Sequence, residues 1–228
     1  MSFTLLANRR FPSWTWLIPA CGLLAIAGVS GWAAESTLGP MKPLVTLLIL
    51  LHAASLPSGD QARRRWVLAG LASSFVGECA MAHPTTYSAG LCSFVLAQCC
   101  YLVMIRRMVR LQRLSVWFGL YAVVVVWAVV MWSARPLSVF IPTAAFMCLL
   151  GLVSVHADVW WWRSRGTPQA AAARAAALGG LLWMLADLLL TFSVHVFWVP
   201  GSIAITLTLY WLAQWQFASI SSAQPVER

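Results

Sequence analysis

Long apolar stretches alternate with short polar breaks along the whole chain. Eight of the stretches approach the roughly 20 residues that an α-helix needs to cross a bilayer. The breaks between them carry Arg, Pro or Gly, as loops between membrane helices do. The stretches cover residues 13–33, 41–56, 66–82, 87–105, 114–132, 136–157, 175–197 and 200–220. The pattern predicts an all-α, polytopic bundle of eight transmembrane helices that forms one membrane domain, 1–228.

The composition supports a membrane chain. Of the 228 residues, 61% are hydrophobic and 9% are charged, whereas about 25% of residues are charged in a soluble domain. A cleaved signal peptide over residues 1–34 is the alternative for the first stretch. The apolar run there, about 20 residues long, exceeds the 7–15 residues of a signal-peptide core, so a membrane helix is favoured.

The net charge of +9 reflects topology. Thirteen of the fifteen basic residues fall in breaks predicted on one side of the membrane: Arg9, Arg10, Arg63, Arg64, Arg65, Arg106, Arg107, Arg110, Arg113, Arg163, Arg165, Arg174 and Arg228. Only Lys42 and Arg135 fall on the other side. The positive-inside rule therefore predicts cytoplasmic N and C termini and no binding of nucleic acid. The basic loops are interpreted as an orientation signal, and contact of the cluster "RRMVRLQR" with anionic membrane lipid is the alternative.

Cysteine and histidine indicate no metal or haem site. The six cysteines lie inside predicted spans without a C-x-x-C pair, as small buried apolar side chains do. The four histidines are scattered and lack the i, i+4 spacing that places two ligands on one helix face. The sequence therefore predicts no cofactor and no bound metal.

Many of the tryptophans lie near predicted span ends, where membrane-interface anchors are expected.

Two acidic residues lie deep inside predicted spans. Glu78 and Asp187 each follow the last cytoplasmic arginine by 13 residues, Arg65 and Arg174 respectively, which corresponds to a depth of about 20 Å. Inserting such a carboxyl costs about 2.5–3.5 kcal/mol, so neither is expected to face lipid. Both spans run from the cytoplasm outwards, and we expect the two carboxyls to share one layer of the bundle and to come close together. Asp158, near a cytoplasmic span end, is interpreted as interfacial.

A short phrase recurs in the span after each acid. "FVLAQCCY" at 94–101 and "YWLAQWQF" at 210–217 share Leu-Ala-Gln and an aromatic residue three positions after the glutamine. The chain therefore divides into two halves of four spans, about 1–113 and 114–228. Because each half has an even number of spans, the repeat would be parallel, with its pseudo-twofold axis along the membrane normal.

Two facing carboxyls in an apolar interior are suited to acid–base chemistry. Desolvation and like-charge repulsion favour one of them keeping its proton, and the other is then free to act as a base. The uncharged polar residues Gln98, Tyr101, Tyr210 and Gln214 can orient a headgroup or a water molecule. Equally, they can be hydrogen-bonded contacts between helices with no further role.

Several phrases together resemble the lysoplasmalogenase family, the YhhN-like multi-pass proteins of bacteria and their animal relatives. They are "MKPLVTLLIL", "RRWVLAGLASSFVGE", "GLCSFVLAQCCYL", "GGLLWMLADLLL" and "LYWLAQ". The resemblance covers spans two to four and seven to eight. Lys42 matches the family's Lys-Pro opening of span two, and Tyr210 and Gln214 match its Tyr-x-x-Ala-Gln ending.

The resemblance implies an activity, a location and a site. The activity is hydrolysis of the vinyl ether of a lysoplasmalogen to a fatty aldehyde and glycerophosphoethanolamine or glycerophosphocholine, in the bacterial inner membrane and without a cofactor. Asp187 and Glu78 would be the catalytic pair, and Lys42, Gln98, Tyr101, Tyr210 and Gln214 would bind the lysophospholipid, with Lys42 at its phosphate.

Three positions depart from the family pattern. Glu78 stands where Asp is usual, Ala186 where Ser is usual, and Gln98 where His is common. Two alternatives therefore stay open. One is a small proton-coupled transporter, and the other is an inactive relative that binds lysolipid without turning it over. The sequence assigns no oligomeric state.

Overall fold

The computed structural model describes residues 12–31, 40–57, 60–109 and 116–222. Five of the arginines used for the topology prediction lie outside these ranges: Arg9, Arg10, Arg110, Arg113 and Arg228. Residues 1–11 and 32–34 of the segment weighed as a signal peptide also lie outside the described residues.

Eight α-helices make up most of the described chain. They are Leu17–Val29 (α1), Met41–Ser55 (α2), Gln61–Met81 (α3), Tyr87–Met108 (α4), Val116–Trp132 (α5), Leu137–Arg163 (α6), Ala170–His195 (α7) and Ser202–Ser219 (α8). Short 3-10 turns occur at Ser13–Trp16, Pro84–Thr86 and Ile220–Ser222. Each α-helix overlaps one predicted apolar segment, and the described ranges contain no strand. The all-α prediction is confirmed.

Some helices are longer than their apolar segments. α3 begins at Gln61, five residues before the predicted start, because Asp60 caps it by accepting a hydrogen bond from the backbone N–H of Arg63 at 3.0 Å. The Arg64 side chain donates to the carbonyl of Ala54 at the end of α2. Hydropathy marks only the apolar part of such a helix, whereas its basic first turn has helical structure too.

Six helices pack in a ring. In the order α2, α3, α4, α6, α7, α8, each packs against the next, and α8 packs back against α2. α1 lies outside the ring against α2 and α8, and α5 lies outside it against α6 and α7. As a result α3 and α7, which carry Glu78 and Asp187, lie on opposite sides of the ring.

Aromatic side chains fill the ring interior. Tyr101 of α4 stacks on Phe217 of α8 with ring centroids 4.3 Å apart, and Trp183 lies edge-on to both. Two glycines make room for this stack. A Cβ atom on Gly70 would lie 2.5 Å from the Tyr101 ring, and one on Gly179 would lie 3.1 Å from the Phe217 ring. The closest helix contacts of the core therefore depend on these glycines.

Replacing Gly70 by alanine is expected to destabilise the protein by about 1–3 kcal/mol, because the new methyl group overlaps the Tyr101 ring. The measurement is thermal unfolding in detergent. Gly119→Ala is the matched control, since a Cβ atom there meets nothing within 4 Å and alanine favours the helix. Equal melting temperatures for the two variants would contradict the packing described.

Three helical segments are long and apolar enough to cross a membrane, judged by length and composition: Pro84–Met108, Leu137–Arg163 and Ala170–His195. Trp14–Val29, Met41–Ser55 and Gly119–Trp132 are apolar but shorter. Large apolar side chains also cover the outside of the bundle, among them Val123 and Leu137, which are 69% and 70% exposed. A soluble protein of this size rarely exposes so much apolar surface, and these features mark a membrane protein.

Two expectations about side-chain location need correction. Trp132 and Trp160, expected at the membrane interface, are buried, because they pack between helices and their indole N–H groups donate to Thr191 and Gln169 respectively. Cysteines were expected to be buried, but Cys79, Cys92 and Cys148 are exposed on the bundle surface. An apolar helix face looks the same in sequence whether it meets lipid or protein.

Candidate functional site

Glu78 lies in the last turn of α3, where α3 and α4 approach closely. A Cβ atom on the preceding residue, Gly77, would lie 3.0 Å from the Phe94 ring and 3.2 Å from the carbonyl oxygen of Gly90. Gly90 in turn meets the carbonyl of Gly77. Only glycines allow this spacing, and they fix the height at which the Glu78 side chain leaves α3.

Polar groups from two other helices meet the Glu78 carboxyl. The Thr46 hydroxyl on α2 donates to Oε1 at 2.5 Å, and Thr46 is fully buried. The buried Tyr210 hydroxyl on α8 lies beside Glu78 and Thr46, without a hydrogen bond of regular geometry among the described residues. Lys42, one helical turn before Thr46, is within electrostatic reach of the carboxyl. Glu78 is thus the centre of a polar cluster made by α2, α3 and α8.

Asp187 has different surroundings. Its Oδ2 atom is buried and has no hydrogen-bond partner among the described residues. The Tyr87 side chain, at the start of α4, is within electrostatic reach of Asp187. Within the described ranges, no hydrogen-bond donor is therefore directed at Asp187.

The two carboxyls are not hydrogen-bonded to each other among the described residues. The first turns of α4 reach both of them, since Gly90 packs on Gly77 and Tyr87 lies within electrostatic reach of Asp187. No hydrogen bond joins Glu78 to Asp187, and each has its own separate interactions in the part of the chain that the structure describes. Their close approach stays a prediction. The helices that carry them, α3 and α7, are opposite members of the ring.

The remaining predicted site residues divide into two kinds. Tyr101 donates to Gln214 Oε1 at 2.9 Å, and both side chains are buried, so this pair links α4 to α8. Gln98 is fully buried, and neither its amide nitrogen nor its oxygen has a partner among the described residues. Gln98 follows Gly90 by eight residues, about 12 Å along α4 towards the end of the helix that carries Arg106 and Arg107. These residues lie below the carboxyl layer.

Thr46 and Tyr87 belong to the site, although the sequence analysis did not single them out. Thr46 follows Lys42 by four residues, which places both on one face of α2, and this spacing was a usable signal. For Tyr87, no sequence signal distinguished its ring from an interface anchor. Asp158, predicted as interfacial, accepts a hydrogen bond from Tyr121 on α5 at 2.9 Å and lies outside the site.

The arrangement separates two chemical roles. Hydrogen-bond donors and a nearby cation stabilise a carboxylate, and Glu78 has Thr46, Tyr210 and Lys42 around it. A carboxyl to which no donor is directed is suited to giving up a proton in a reaction, and Asp187 has that environment in the described residues. The site thus contains a candidate base and a candidate acid in one layer of the bundle.

Comparison with known proteins identifies one family. The model of the YhhN family matches residues 40–220, most of the chain and all the residues of the site. No curated protein and no solved structure matches the chain.

Proposed function

From the chain's membership of the YhhN family, we propose that it hydrolyses the vinyl ether bond of lysoplasmalogens within the bacterial inner membrane. The products are a fatty aldehyde and glycerophosphoethanolamine or glycerophosphocholine. The observation that carries the proposal is the pair of unlike carboxyls in one layer of the bundle. One is surrounded by Thr46, Tyr210 and Lys42, and the other has an unpartnered oxygen among the described residues.

The reaction needs one proton donor and one base. Asp187 donates a proton to the β-carbon of the vinyl ether, which leaves an oxocarbenium ion centred on the α-carbon and the ether oxygen. The Glu78 carboxylate stabilises this cation and takes a proton from the water that attacks the α-carbon. The resulting hemiacetal breaks its bond to the glycerol oxygen, which takes the proton from Glu78. The hemiacetal hydroxyl gives its proton to the Asp187 carboxylate, and the aldehyde is released. The protons gained and lost balance, and the sum of the steps is addition of one water.

The other predicted binding residues support this pair. Lys42 and Tyr210 lie near the Glu78 carboxyl, and the Tyr101–Gln214 hydrogen bond links α4 to α8. The buried amide of Gln98 is available for a water molecule or a polar part of the substrate, since it has no partner among the described residues.

We also propose that all eight helices cross the membrane, with cytoplasmic termini, as one domain of two four-helix halves. Equivalent contacts in the two halves support the repeat. Gly70 receives the ring of Tyr101 as Gly179 receives the ring of Phe217. Gly77 of α3 packs against Gly90 of α4. In the second half, the carbonyl of Ala186 on α7 accepts a hydrogen bond from the Thr206 hydroxyl on α8 at 3.4 Å. The same sequence separation relates Gly70, Gly77 and Glu78 to Gly179, Ala186 and Asp187, respectively.

The repeat also explains why the two acids differ. On the second helix of the matching pair, Tyr210 corresponds to Phe94 in the same register that relates Gln214 to Gln98. Tyr210 approaches Thr46 of α2, whereas Phe94 contacts Phe146 of α6 with ring centroids 6.2 Å apart. A polar tyrosine in one half is therefore matched by an apolar phenylalanine in the other.

The direct test is release of aldehyde from 1-alkenyl lysophosphatidylethanolamine by the purified protein in detergent. We expect turnover of this lipid and none of its saturated 1-alkyl ether, which has no double bond to protonate. The Asp187→Asn, Glu78→Gln double variant controls for a contaminating hydrolase. Absence of aldehyde from every alkenyl lysolipid would contradict the proposed activity. Lysolipid binding without turnover would then identify an inactive relative. Substrate-driven flux in proteoliposomes would identify a transporter.

A further inference from the structure

Arg135 lies in the short turn between α5 and α6, at the end of the bundle opposite most of the arginines. Its side chain is exposed, and its guanidinium lies over the Trp132 ring, 5.7 Å from the ring centre. Cation–π contacts of this kind hold an arginine in place and leave its N–H donors directed outwards. No carboxylate forms an ion pair with Arg135 in the part of the chain that the structure describes.

Trp132 is a fixed platform for this arginine. Only 8% of its surface is exposed, and its indole N–H donates to the Thr191 hydroxyl at 3.1 Å. The ring of His195 lies edge-on to Trp132, with centroids 4.9 Å apart. Thr191 and His195 of α7 therefore both contact Trp132. The Nε2 atom of His195 is buried and has no hydrogen-bond partner among the described residues.

The platform lies directly above the candidate acid. Thr191 and His195 follow Asp187 by one and two helical turns, so all three share one face of α7. His195 is about 12 Å from Asp187 along the helix axis. Tyr87 lies within electrostatic reach of both Arg135 and Asp187. A continuous set of side chains therefore connects the exposed guanidinium to the carboxyl layer.

We propose that Arg135, held over Trp132, binds the phosphate of the lysophospholipid whose alkenyl ether reaches Asp187. This inference rests on the proposed function. A guanidinium binds a phosphodiester through two parallel hydrogen bonds, and the exposed position suits a headgroup that stays at the aqueous end while the chain lies in the bundle. His195 supplies a second polar group beside the same indole.

Lys42 is thereby given a different role from the one predicted for it. The sequence placed Lys42 and Arg135 as the two basic residues on this side of the membrane and assigned the phosphate to Lys42. In the structure the Lys42 ammonium is within electrostatic reach of Glu78. Lys42 stabilises the carboxylate of one half, and Arg135 recognises the phosphate above the acid of the other half.

Binding of a non-hydrolysable ligand tests the phosphate site without requiring turnover. The probes are 1-O-alkyl lysophosphatidylethanolamine and 1-O-alkylglycerol, which lacks the phosphate, titrated by calorimetry into the protein in detergent. Arg135→Gln is expected to weaken binding of the phospholipid by about ten- to a hundredfold and to leave binding of alkylglycerol unchanged. Arg135→Lys should lie between the two, because lysine keeps the charge without the planar fork.

Arg165→Gln is the matched control, since Arg165 makes a similar contact over Trp162, 4.0 Å from the ring centre, at the other end of the bundle. It should bind both probes as the wild type does. Competition with inorganic phosphate and with glycerophosphoethanolamine separates a lipid site from a free-phosphate site. Displacement of the lysolipid by inorganic phosphate at millimolar concentration would overturn the assignment to a lipid headgroup.

Two outcomes would overturn the inference itself. One is unchanged affinity of Arg135→Gln for the phospholipid, and the other is an equal loss of affinity for both probes, which would indicate a structural role. If the protein binds the phospholipid through Arg135 but releases no aldehyde from alkenyl lysolipids, the phosphate site stands and the proposed hydrolysis fails. If it is active, Arg135→Gln should raise KM for the phospholipid and leave kcat within about twofold.

Discussion

Replacement of Asp187 by asparagine is expected to lower kcat for aldehyde release by about 10²–10⁴-fold. Asparagine has nearly the same shape as aspartic acid but no acidic proton to give to the β-carbon of the vinyl ether. Because Asp187 Oδ2 has no hydrogen-bond partner among the described residues, the substitution breaks no such bond there, and the fold should remain intact. The measurement is single-turnover release of aldehyde from alkenyl lysophosphatidylethanolamine.

Asp158→Asn is the matched control for this variant. Asp158 is also a partly buried acid within a long helix, and it accepts a hydrogen bond from Tyr121 away from the site. It should retain wild-type kcat. The Asp187 variant should also bind the 1-alkyl lysolipid with wild-type affinity. An Asp187→Asn protein with more than about a tenth of wild-type kcat would show that another group donates the proton.

The sequence was sufficient to predict where the helices lie and to single out two acids within them. Apolar segments reveal membrane helices because a bilayer leaves few other ways to satisfy the backbone, so each of the eight helices fell on a predicted segment. Glu78 and Asp187 stood out because a carboxyl is rare in such surroundings. Counting residues from Arg65 and Arg174 also placed both acids in one layer, which the contacts made by Gly90 and Tyr87 support.

The contacts between helices were beyond prediction from the sequence. Which residues of α2 and α8 meet Glu78 depends on the rotation of each helix about its axis, and a uniformly apolar helix carries no periodic signal of that rotation. Thr46 was missed for this reason. Small residues determine the packing instead, since Gly70 and Gly77 set how closely α3 approaches α4. Their role is visible only when the neighbouring rings are placed.

Replacement of Glu78 by glutamine is expected to lower kcat by about 10²–10⁴-fold, because the amide can neither take a proton from water nor stabilise the oxocarbenium ion. Glu78→Asp should retain more activity, since Asp is usual at this position in the family that the sequence resembles. The shorter side chain moves the carboxyl away from Thr46, and we expect a loss of about tenfold. Steady-state kinetics of the two variants, with lysolipid affinity measured separately, checks this order.

Thr46→Val separates the position of the carboxyl from its chemistry. Valine removes the 2.5 Å hydrogen bond to Glu78 and keeps the size of the side chain. Since a net hydrogen bond contributes about 0.5–1.5 kcal/mol, kcat should fall by about two- to tenfold. Thr208→Val is the control, because the Thr208 hydroxyl is exposed and donates to the backbone of its own helix.

Full activity of Glu78→Gln alongside an inactive Asp187→Asn would contradict the two-carboxyl mechanism and leave a single acid as the catalyst.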